Sequence, residues 1–331
     1  QAKLLLENFL EIPWTCLFIN LHLSFEIRAY MKNQKQAYMY AGIAVLLWST
    51  VATSMKIALQ SYSFLQLLFW SSATALMALS ILMLVTKKYR NLAKLPPKAI
   101  LKSAFYGAVN PFLYYIVLFK TYDLLPAQEA QALNYTWPIM LSLLAVPLLK
   151  QKISIKNIMA IGISFIGVLI IATGGNLINL SFTREEGVLL GLASAIIWAL
   201  FWIFNIKDER DELSKLFFNF CFGFVYIVIA LLFTSEVVFI NVKTWLNAVY
   251  VGLFEMGITF VIWSIALKKS ITAAKVSNLV YLVPFLSLVV IYFVLEEAIQ
   301  LPTIIGLFLI VGGLVFDKVS FKQLRFTKSN K

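Results

Sequence analysis

The chain has 331 residues, of which 61% are hydrophobic and only 13% are charged, and its mean hydropathy is +0.84. Soluble domains are about half apolar and a quarter charged, so these values exclude a soluble globular protein and predict an all-α integral membrane protein. The net charge of +12 does not indicate nucleic-acid binding, because the basic residues lie in short gaps between apolar stretches and form no basic helix face.

Residues 1–37 are interpreted as an N-terminal extension. Met31 and the polar residues after it resemble a natural start, and the apolar run before it is broken by acidic residues and Pro13. Its longest clean piece, 14–25, is shorter than the roughly 20 residues that span a bilayer. We therefore expect residues 1–30 to lie at the membrane interface or to be partly non-native.

Apolar stretches of spanning length fill the rest of the chain. They predict ten transmembrane helices at 38–58, 64–85, 103–122, 127–149, 156–173, 186–206, 216–234, 245–267, 271–294 and 301–316. The connections between them are short. We therefore expect no soluble domain between the spans, and any functional site must lie within or between the helices.

Lysine and arginine are distributed unevenly between the two sides of the predicted membrane. With the N-terminus inside, the outer gaps hold only Lys120, Arg184 and Lys243, whereas basic residues occur in every inner gap and in the tail at 319–331. Cytoplasmic loops carry this excess, so both termini are predicted to be cytoplasmic. The acidic and basic residues at 207–212 are expected to form a solvated cytoplasmic loop.

The two halves of the chain resemble each other. A shift of about 146 residues aligns Pro138 with Pro284 and Tyr135 with Tyr281, and nearly the same shift aligns Gly107 with Gly252 and Asn110 with Glu255. Five spans are an odd number, so the second copy must cross the membrane in the opposite sense. The sequence predicts two inverted five-helix repeats, 38–173 and 186–318, which are the usual scaffold for alternating access.

Several short motifs carry a family resemblance. They are LLWST at 46–50, NYTWP at 134–138, Trp198 in the sixth span and VLEEAIQLPTIIG at 294–306. On these motifs the chain resembles EamA-type members of the drug/metabolite transporter superfamily over roughly 38–318, and NYTWP with LLWST is similar to the aromatic amino acid exporter branch. The second half, with Lys275 and an acidic pair at 296–297, differs from that branch. The resemblance implies a central cavity lined by spans one to four and six to nine, with five and ten at the periphery.

Prolines within spans mark candidate pathway segments. Pro111, Pro138 and Pro284 predict helix kinks, because proline removes a backbone hydrogen bond and frees a carbonyl one turn back. The polar and aromatic residues near these kinks are Asn110, Asn134, Tyr135, Trp137, Asn278 and Tyr281. They predict a substrate pathway, and a kink without ligand contact is the alternative.

Glu129, Lys275, Lys56 and Glu255 are charged residues that fall inside predicted spans. Glu129 and Lys275 are equivalent in the two repeats, so we expect them to oppose each other and to gate the pathway or contact a zwitterionic substrate. Alternatively, each reaches for interfacial water, as is expected of Lys56. Glu255 lies in mid-span, where a charge is costly, and predicts a substrate-amine contact or proton coupling. A protonated carboxyl bonded to a neighbouring helix is the alternative for Glu255.

Three tryptophans are candidates for the cavity wall. Trp198 and Trp202 are four residues apart and share a helix face, and Trp48 corresponds to Trp198 in the first repeat. The alternative is that these rings pack against other helices or face lipid, as many aromatic side chains do in membrane proteins.

The favoured function is that of a secondary transporter or exporter of small organic metabolites, such as amino acids or similar amphipathic compounds, in the cytoplasmic membrane. No GxxxxGK[ST] loop supports ATP use. The alternatives are an exchanger of nucleotide sugars or phosphate-bearing metabolites and a non-transporting sensor or scaffold. An intramembrane enzyme is disfavoured, since the spans contain no histidine and no paired acids at catalytic spacing.

The expected partners follow from this function. Cys16, Cys221 and His22 form neither a disulfide framework nor a metal cluster of usual spacing, so no metal, cofactor or catalytic residue is expected. The expected partners are the lipid bilayer, a small-molecule substrate and, through Glu255, protons. Both a monomer and a homodimer are compatible with the sequence.

Overall fold

The computed structural model describes residues 33–89, 96–150, 154–176, 184–234, 236, 239–271, 276 and 278–318. These residues form helices and turns, and this described part of the chain contains no strand. Residues 1–32, the tail at 319–331 and Lys275 lie outside the described residues.

The helices, in chain order, are α1 (Gln34–Leu59), α2 (Phe64–Val85), α3 (Pro97–Gly107), α4 (Tyr114–Leu124), α5 (Ala127–Asn134), α6 (Trp137–Leu149), α7 (Ile155–Ala172), α8 (Glu185–Ile206), α9 (Glu212–Thr234), α10 (Val242–Val251), α11 (Ile258–Lys269), α12 (Val283–Leu295) and α13 (Leu301–Lys318). π-helical segments, Ala108–Leu113 and Gly252–Gly257, join α3 to α4 and α10 to α11, and a 3₁₀ turn, Asn278–Leu282, leads into α12. Helix α1 begins earlier than predicted, because the side chain of Asn33 caps it by accepting the N–H of Gln36 at 3.1 Å.

Within the described residues, eight helical stretches are long and apolar enough to cross a membrane. They are α1, α2, α5–α6, α7, α8, α9, α10–α11 and Asn278–Leu295. A shorter apolar helix, Leu301–Phe316, lies where the tenth span is predicted, and the third predicted span lies in the broken stretch α3–α4. The chain is thus an all-helical protein with several membrane spans, and the count of ten stays a prediction.

The helices break beside the prolines that the sequence singled out. Asn110 has extended dihedral angles (φ −148°, ψ 120°), because the ring of Pro111 disfavours helical geometry in the residue before it. Pro138 and Pro284 lie within the first two positions of α6 and α12. A backbone N–H at these positions has no acceptor within the helix, so proline removes no helical hydrogen bond there. The third and fourth predicted spans are therefore pairs of helical segments, α3–α4 and α5–α6, and a 3₁₀ turn precedes α12 in the ninth.

The packing of the helices follows a pattern that is unchanged when the two halves are exchanged. Helix α1 packs against α10, α11 and α12, and helix α8 packs against α4, α5 and α6. Helix α2 packs against α9, and α7 against α13. The backbone irregularities also correspond, since α6 and α12 each end at a residue with positive φ, Lys150 at 55° and Glu296 at 54°.

Glycines allow helices α7 and α13 to approach closely. A Cβ atom on Gly306 would lie 2.5 Å from the carbonyl oxygen of Gly167, and the converse distance is also 2.5 Å. Ser164 Oγ donates across the same interface to the carbonyl oxygen of Ile310 at 3.1 Å. Small residues of this kind let helix backbones pack tightly where lipid offers no hydrophobic driving force.

We predict that Gly306→Ala destabilises the protein by about 1–3 kcal/mol, because its methyl group must displace the backbone of α7. Gly312→Ala is the matched control on the same helix, since a Cβ atom there would meet nothing within 4 Å. Thermal unfolding in detergent, followed by size-exclusion chromatography, measures both variants. Equal unfolding midpoints would contradict the tight α7–α13 contact.

A charged network fixes one end of the helix bundle, the Arg210 end, where α2, α6 and α8 finish and α3 and α9 begin. Arg210 donates to both carboxylate oxygens of Asp208, with Nε at 3.0 Å from each and Nη2 at 2.6 Å from Oδ2. It also donates to Ser103 Oγ at 2.8 Å and to the carbonyl oxygen of Ala99 at 3.1 Å, both in α3. Asp208 is buried, so the expectation of a solvated loop is wrong for this residue.

The Asp208 network makes a pH-dependent contribution to stability. Burial alone would raise the pKa of Asp208, but the hydrogen bonds and charge of Arg210, with the charge of Lys215, outweigh it and hold the pKa below its ordinary value of 3.8. A lowered carboxyl pKa stabilises the folded state above the unfolded value, and this contribution is lost as pH falls through the folded value.

We predict that Asp208→Asn lowers stability at about pH 7 by about 2 kcal/mol and flattens the loss of stability on acidification below about pH 4. Glu209→Gln, which changes an exposed carboxyl in the same loop, should alter neither property. Unfolding midpoints across a pH series measure both variants. If the two acid profiles coincide, Asp208 does not stabilise this end.

Candidate functional site

A cavity of about 370 Å³ lies between the helices. This volume is in the range of pockets that hold small organic ligands. Its lining comes from all the predicted spans except the second, fifth and seventh: Trp48, Val51, Ala52, Met55, Tyr114, Leu118, Tyr122, Gln131, Asn134, Tyr135, Trp137, Pro138, Leu141, Ser142, Trp198, Trp202, Glu255, Phe260, Trp263, Leu267, Val280, Tyr281, Val283 and Leu314.

Aromatic rings form a continuous wall of this cavity. Phe260 lies between the equivalent tryptophans of the two halves, with its ring centroid 5.8 Å from Trp48 and 5.8 Å from Trp198. The wall extends from Trp48 to Trp263 at 5.4 Å and from Trp198 to Trp202 at 6.0 Å. These separations are typical of packed aromatic pairs, and the rings hold each other in place while their free faces line the cavity.

Glu255 supplies the carboxyl group in the lining. It lies in the π-helical segment between α10 and α11, and the hydroxyl group of Tyr115 donates to its Oε1 at 3.5 Å. No Lys, Arg or His is among the described residues that line the cavity. The described lining therefore combines apolar and aromatic surface with a single acidic group.

The NYTWP motif contributes hydrogen-bonding groups at the break between α5 and α6. Asn134 Nδ2 donates to Ser194 Oγ at 2.9 Å and to the hydroxyl oxygen of Tyr114 at 3.3 Å. The hydroxyl group of Tyr135 donates to the carbonyl oxygen of Val280 at 3.4 Å. The fourth and ninth predicted spans thus meet at the cavity through Tyr135 and Val280. The motif also connects α5–α6 to helices α4 and α8.

The opposite end of the bundle, the Lys56 end, is closed by hydrogen bonds to helix termini. Lys56 Nζ donates to the carbonyl oxygens of Tyr122 at 2.7 Å and Leu125 at 2.8 Å, where α4 ends. Cations at helix C-termini satisfy carbonyl groups that have no partner within the helix. Lys56 was expected to reach for interfacial water, and the structure instead shows it bonded to a neighbouring helix.

Glu297 closes the same end from the second half of the chain. Its carboxylate accepts the N–H groups of Ala127 at 3.1 Å and Gln128 at 3.2 Å, at the N-terminus of α5. Gln128 Nε2 donates to the carbonyl oxygen of Ala298 at 2.9 Å, and its Oε1 accepts the N–H of Gln300 at 2.9 Å. The loop before α13 is therefore bonded to the first turn of α5.

Burial of the lining changes along the cavity. Met55, Tyr122 and Gln131, toward the Lys56 end, are buried, whereas Leu267 and Tyr281, toward the Arg210 end, are partly exposed. The lining is thus more deeply buried toward the Lys56 end than toward the Arg210 end.

The structure places most of the predicted pathway residues on the cavity. Those that line it are Trp48, Asn134, Tyr135, Trp137, Pro138, Trp198, Trp202, Glu255 and Tyr281. This placement is a matter of geometry, and their contact with a substrate remains a prediction.

Other predicted residues are not part of the cavity lining. Glu129 is buried near the Lys56 end, and its Oε2 has no hydrogen-bond partner. Asn110 is buried at the break in α3–α4, where Pro111 packs against Gly223. Asn278 is exposed. Pro284 is buried outside the lining, and the predicted opposition of Glu129 to Lys275 remains untested, since Lys275 is outside the described residues.

Several lining residues were not identified from the sequence. Tyr114, Leu118 and Tyr122 repeat at four-residue spacing on α4, and this spacing was a signal for one helix face. Phe260, Trp263 and Leu267 also share one face of α11, but the break at Gly257 meant that their spacing could not be related to Glu255.

A sequence profile of the EamA-like transporter family matches this chain twice, at residues 35–173 and 185–316. The chain belongs to this family. As a member of this family whose described residues include eight helical stretches that can span a bilayer, it is a multi-pass protein of the cytoplasmic membrane.

Individual relatives of this EamA-like transporter are distant. The uncharacterized transporter YyaM of Bacillus subtilis is 26% identical over 54% of this chain and 60% of its own length, which is less than two thirds of that protein. An uncharacterized transporter of Archaeoglobus fulgidus is 23% identical over 84% of this chain and 96% of its own length. The aromatic amino acid exporter YddG of Ancylobacter novellus is 24% identical over 63% of this chain and 72% of its own length.

A solved crystal structure shares the fold of this EamA-like transporter. The superposition has a TM-score of 0.59 and covers 88% of this chain and 100% of the other chain, at 20% sequence identity.

We predict that Asn134→Ala lowers the thermal stability of the transporter by about 1 kcal/mol, because the buried hydroxyl group of Tyr114 loses its donor. Asn278→Ala is the matched control, because the exposed Asn278 lies outside the cavity lining and should have no effect. Thermal unfolding of both purified variants measures the difference. A stable Asn134→Ala protein would show that this motif does not hold the helices together.

Proposed function

We propose that this EamA-like transporter moves small amphipathic organic molecules across the membrane by alternating access, without ATP. The observation that carries the proposal is the aromatic cavity of about 370 Å³, which is closed at one end by bonded helix termini. A cavity in contact with one side of the membrane at a time is what alternating access requires. Molecules of amino-acid size are the first candidates, and one distant relative is named an aromatic amino acid exporter.

The proposed architecture is a pair of inverted repeats that together contribute ten spans. The family profile matches two successive ranges, and the packing partners of α1 and α8 correspond after the halves are exchanged. Gly107 and Gly252 support the same relation, because each lies just before a break and each contacts a backbone carbonyl of a facing helix, that of Asn219 or Ser71. The distribution of basic residues then favours a cytoplasmic position for both termini and for the Arg210 end.

Under this topology the described conformation faces inward. Lining residues are more exposed toward the Arg210 end, and the bonds of Lys56 and Glu297 support closure of the opposite end. We propose that Trp48, Trp198 and Glu255 contact the substrate, together with the other predicted residues that line the cavity. Export would then begin from this conformation, with a substrate entering from the cytoplasm.

The cavity argues against the exchange of nucleotide sugars or phosphate-bearing metabolites. Such substrates carry anionic groups that proteins bind with arginine and lysine. No basic residue is among the described residues of the lining. The charge of the lining thus favours neutral or cationic substrates.

A counterflow assay in proteoliposomes tests the proposal. We expect exchange of at least one amino acid or related amphipathic compound from a labelled panel, and a repeat across a pH gradient tests whether protons are coupled. Ala52→Phe fills the cavity from a buried position, so it should abolish exchange. Leu46→Phe, on the exposed face of the same helix, is the matched control and should retain exchange.

Two results would contradict transport through this cavity. One is the absence of exchange for every compound in the panel, with protein that is correctly folded and inserted. The other is equal exchange by the Ala52→Phe and Leu46→Phe proteins, since a blocked cavity cannot pass a substrate.

A further inference from the structure

We infer that the cavity selects a substrate with a positively charged amine and an apolar or aromatic body, and that it discriminates against the corresponding amino acid and carboxylic acid. This inference rests on the proposed function and names the substrate class of the same site. It follows from the charge of the lining, the aromatic wall and the neutral polar groups around them.

The first step is the charge of the lining. Glu255 lies in the interior of the bundle, and the hydroxyl group of Tyr115, at 3.5 Å, is the partner that the structure shows for its Oε1. A carboxylate away from water is costly unless a positive charge or a proton accompanies it. Among the described lining residues there is no cation to do this, so a proton would offset the charge when no substrate is bound, and a substrate ammonium group would take its place on binding.

The second step is the aromatic wall. Trp48, Phe260 and Trp198 form an unbroken series whose neighbouring ring centroids are 5.8 Å apart. The faces of such rings attract cations and also pack against apolar groups. An ammonium group near Glu255 with an aromatic body along this wall would therefore use both features of the lining.

The third step is the lack of a basic partner for a carboxylate among the described lining residues. A zwitterionic amino acid would bring a second ionised group into the cavity, and the described lining offers no basic side chain to receive it. The indole N–H of Trp202 is buried without a partner and can donate one hydrogen bond. Neutral donors of this kind suit a substrate hydroxyl or carbonyl group, and they stabilise a full negative charge less than a basic side chain would.

Binding of three compounds that share an indole ring tests this inference on the unmodified protein. Isothermal titration in detergent at about pH 7 compares tryptamine, tryptophan and indole-3-acetate, whose side chains are cationic, zwitterionic and anionic. We expect tryptamine to bind at least about tenfold more tightly than the other two, because it alone supplies a positive charge without a negative one. Tryptophan or indole-3-acetate binding as tightly as tryptamine would overturn the inference.

Variants of Glu255 test whether its carboxylate binds the amine of tryptamine. Glu255→Gln should reduce tryptamine affinity by at least about tenfold, and Glu255→Asp, which keeps the charge, should retain part of it. Glu209→Gln removes an exposed carboxyl far from the lining and should bind tryptamine as the unmodified protein does. Unchanged tryptamine affinity in monodisperse Glu255→Gln protein would overturn the assignment of the amine to this residue.

Transport of the same compounds separates this inference from the proposed function. Exchange of tryptamine in proteoliposomes in preference to tryptophan supports both. Exchange of tryptophan without tryptamine would overturn the amine preference and leave the transporter function in place. Glu255-dependent binding of tryptamine with no exchange of any compound would support the amine site and overturn transport.

Discussion

The rest of the structure depends on one constraint, the need to satisfy backbone polar groups where helices break inside a membrane. Lipid offers no hydrogen bonds, so an irregular backbone is stable at this depth only where protein or a water-filled cavity surrounds it. The breaks at Asn110, at Tyr135 and at 252–257 lie in the packed part of the bundle, and two of them border the cavity. The same breaks therefore shape the cavity and require that other helices enclose it.

Close packing of the other helices provides this enclosure. Gly107 allows α9 to pack against the break at Asn110, and Gly252 allows α2 to pack against the break at 252–257. Helices α7 and α13 pack against each other through Gly167 and Gly306. Helices that meet through small residues leave large aromatic side chains to the interior, where Trp48 and Trp198 line the cavity. Tight glycine contacts between the outer helices thus enclose the bundle, and the large aromatic side chains surround the cavity at its centre.

Many of the cavity-lining residues were predictable from the sequence, because their polar or proline side chains carry a high free-energy cost when they face lipid. Trp48, Trp198, Glu255 and the NYTWP motif line the cavity, because polar and proline-bearing residues are tolerated in spans chiefly where they face protein or a cavity. Lys56 could not be assigned correctly, because its partners are main-chain carbonyls of a distant helix, and such groups have no signature in the sequence.

Two further features show the limit of reasoning from spacing alone. The network of Asp208 and Arg210 was expected to be solvated, since a run of alternating charges usually forms an exposed loop, but α3 covers it. Phe260 was missed because it follows a break, beyond which the regular angle of 100° per residue no longer relates one side chain to the next. The burial of Asp208 and the position of Phe260 therefore depend on long-range packing and on irregular backbone, which the sequence pattern does not indicate.

The two ends of the cavity differ in the chemistry available to close them. At the Lys56 end, the Glu297 carboxylate accepts N–H groups at the start of α5, where the helix dipole favours a negative charge. The aligned loop of the first half begins at Lys150 and continues with Gln151 and Lys152, and it contains no acid. A lysine cannot serve a helix N-terminus in this way, since both are positive. Under the proposed inverted-repeat topology, an equivalent closure of the Arg210 end would therefore lack a carboxylate at the helix N-terminus, and this asymmetry would favour closure at the Lys56 end.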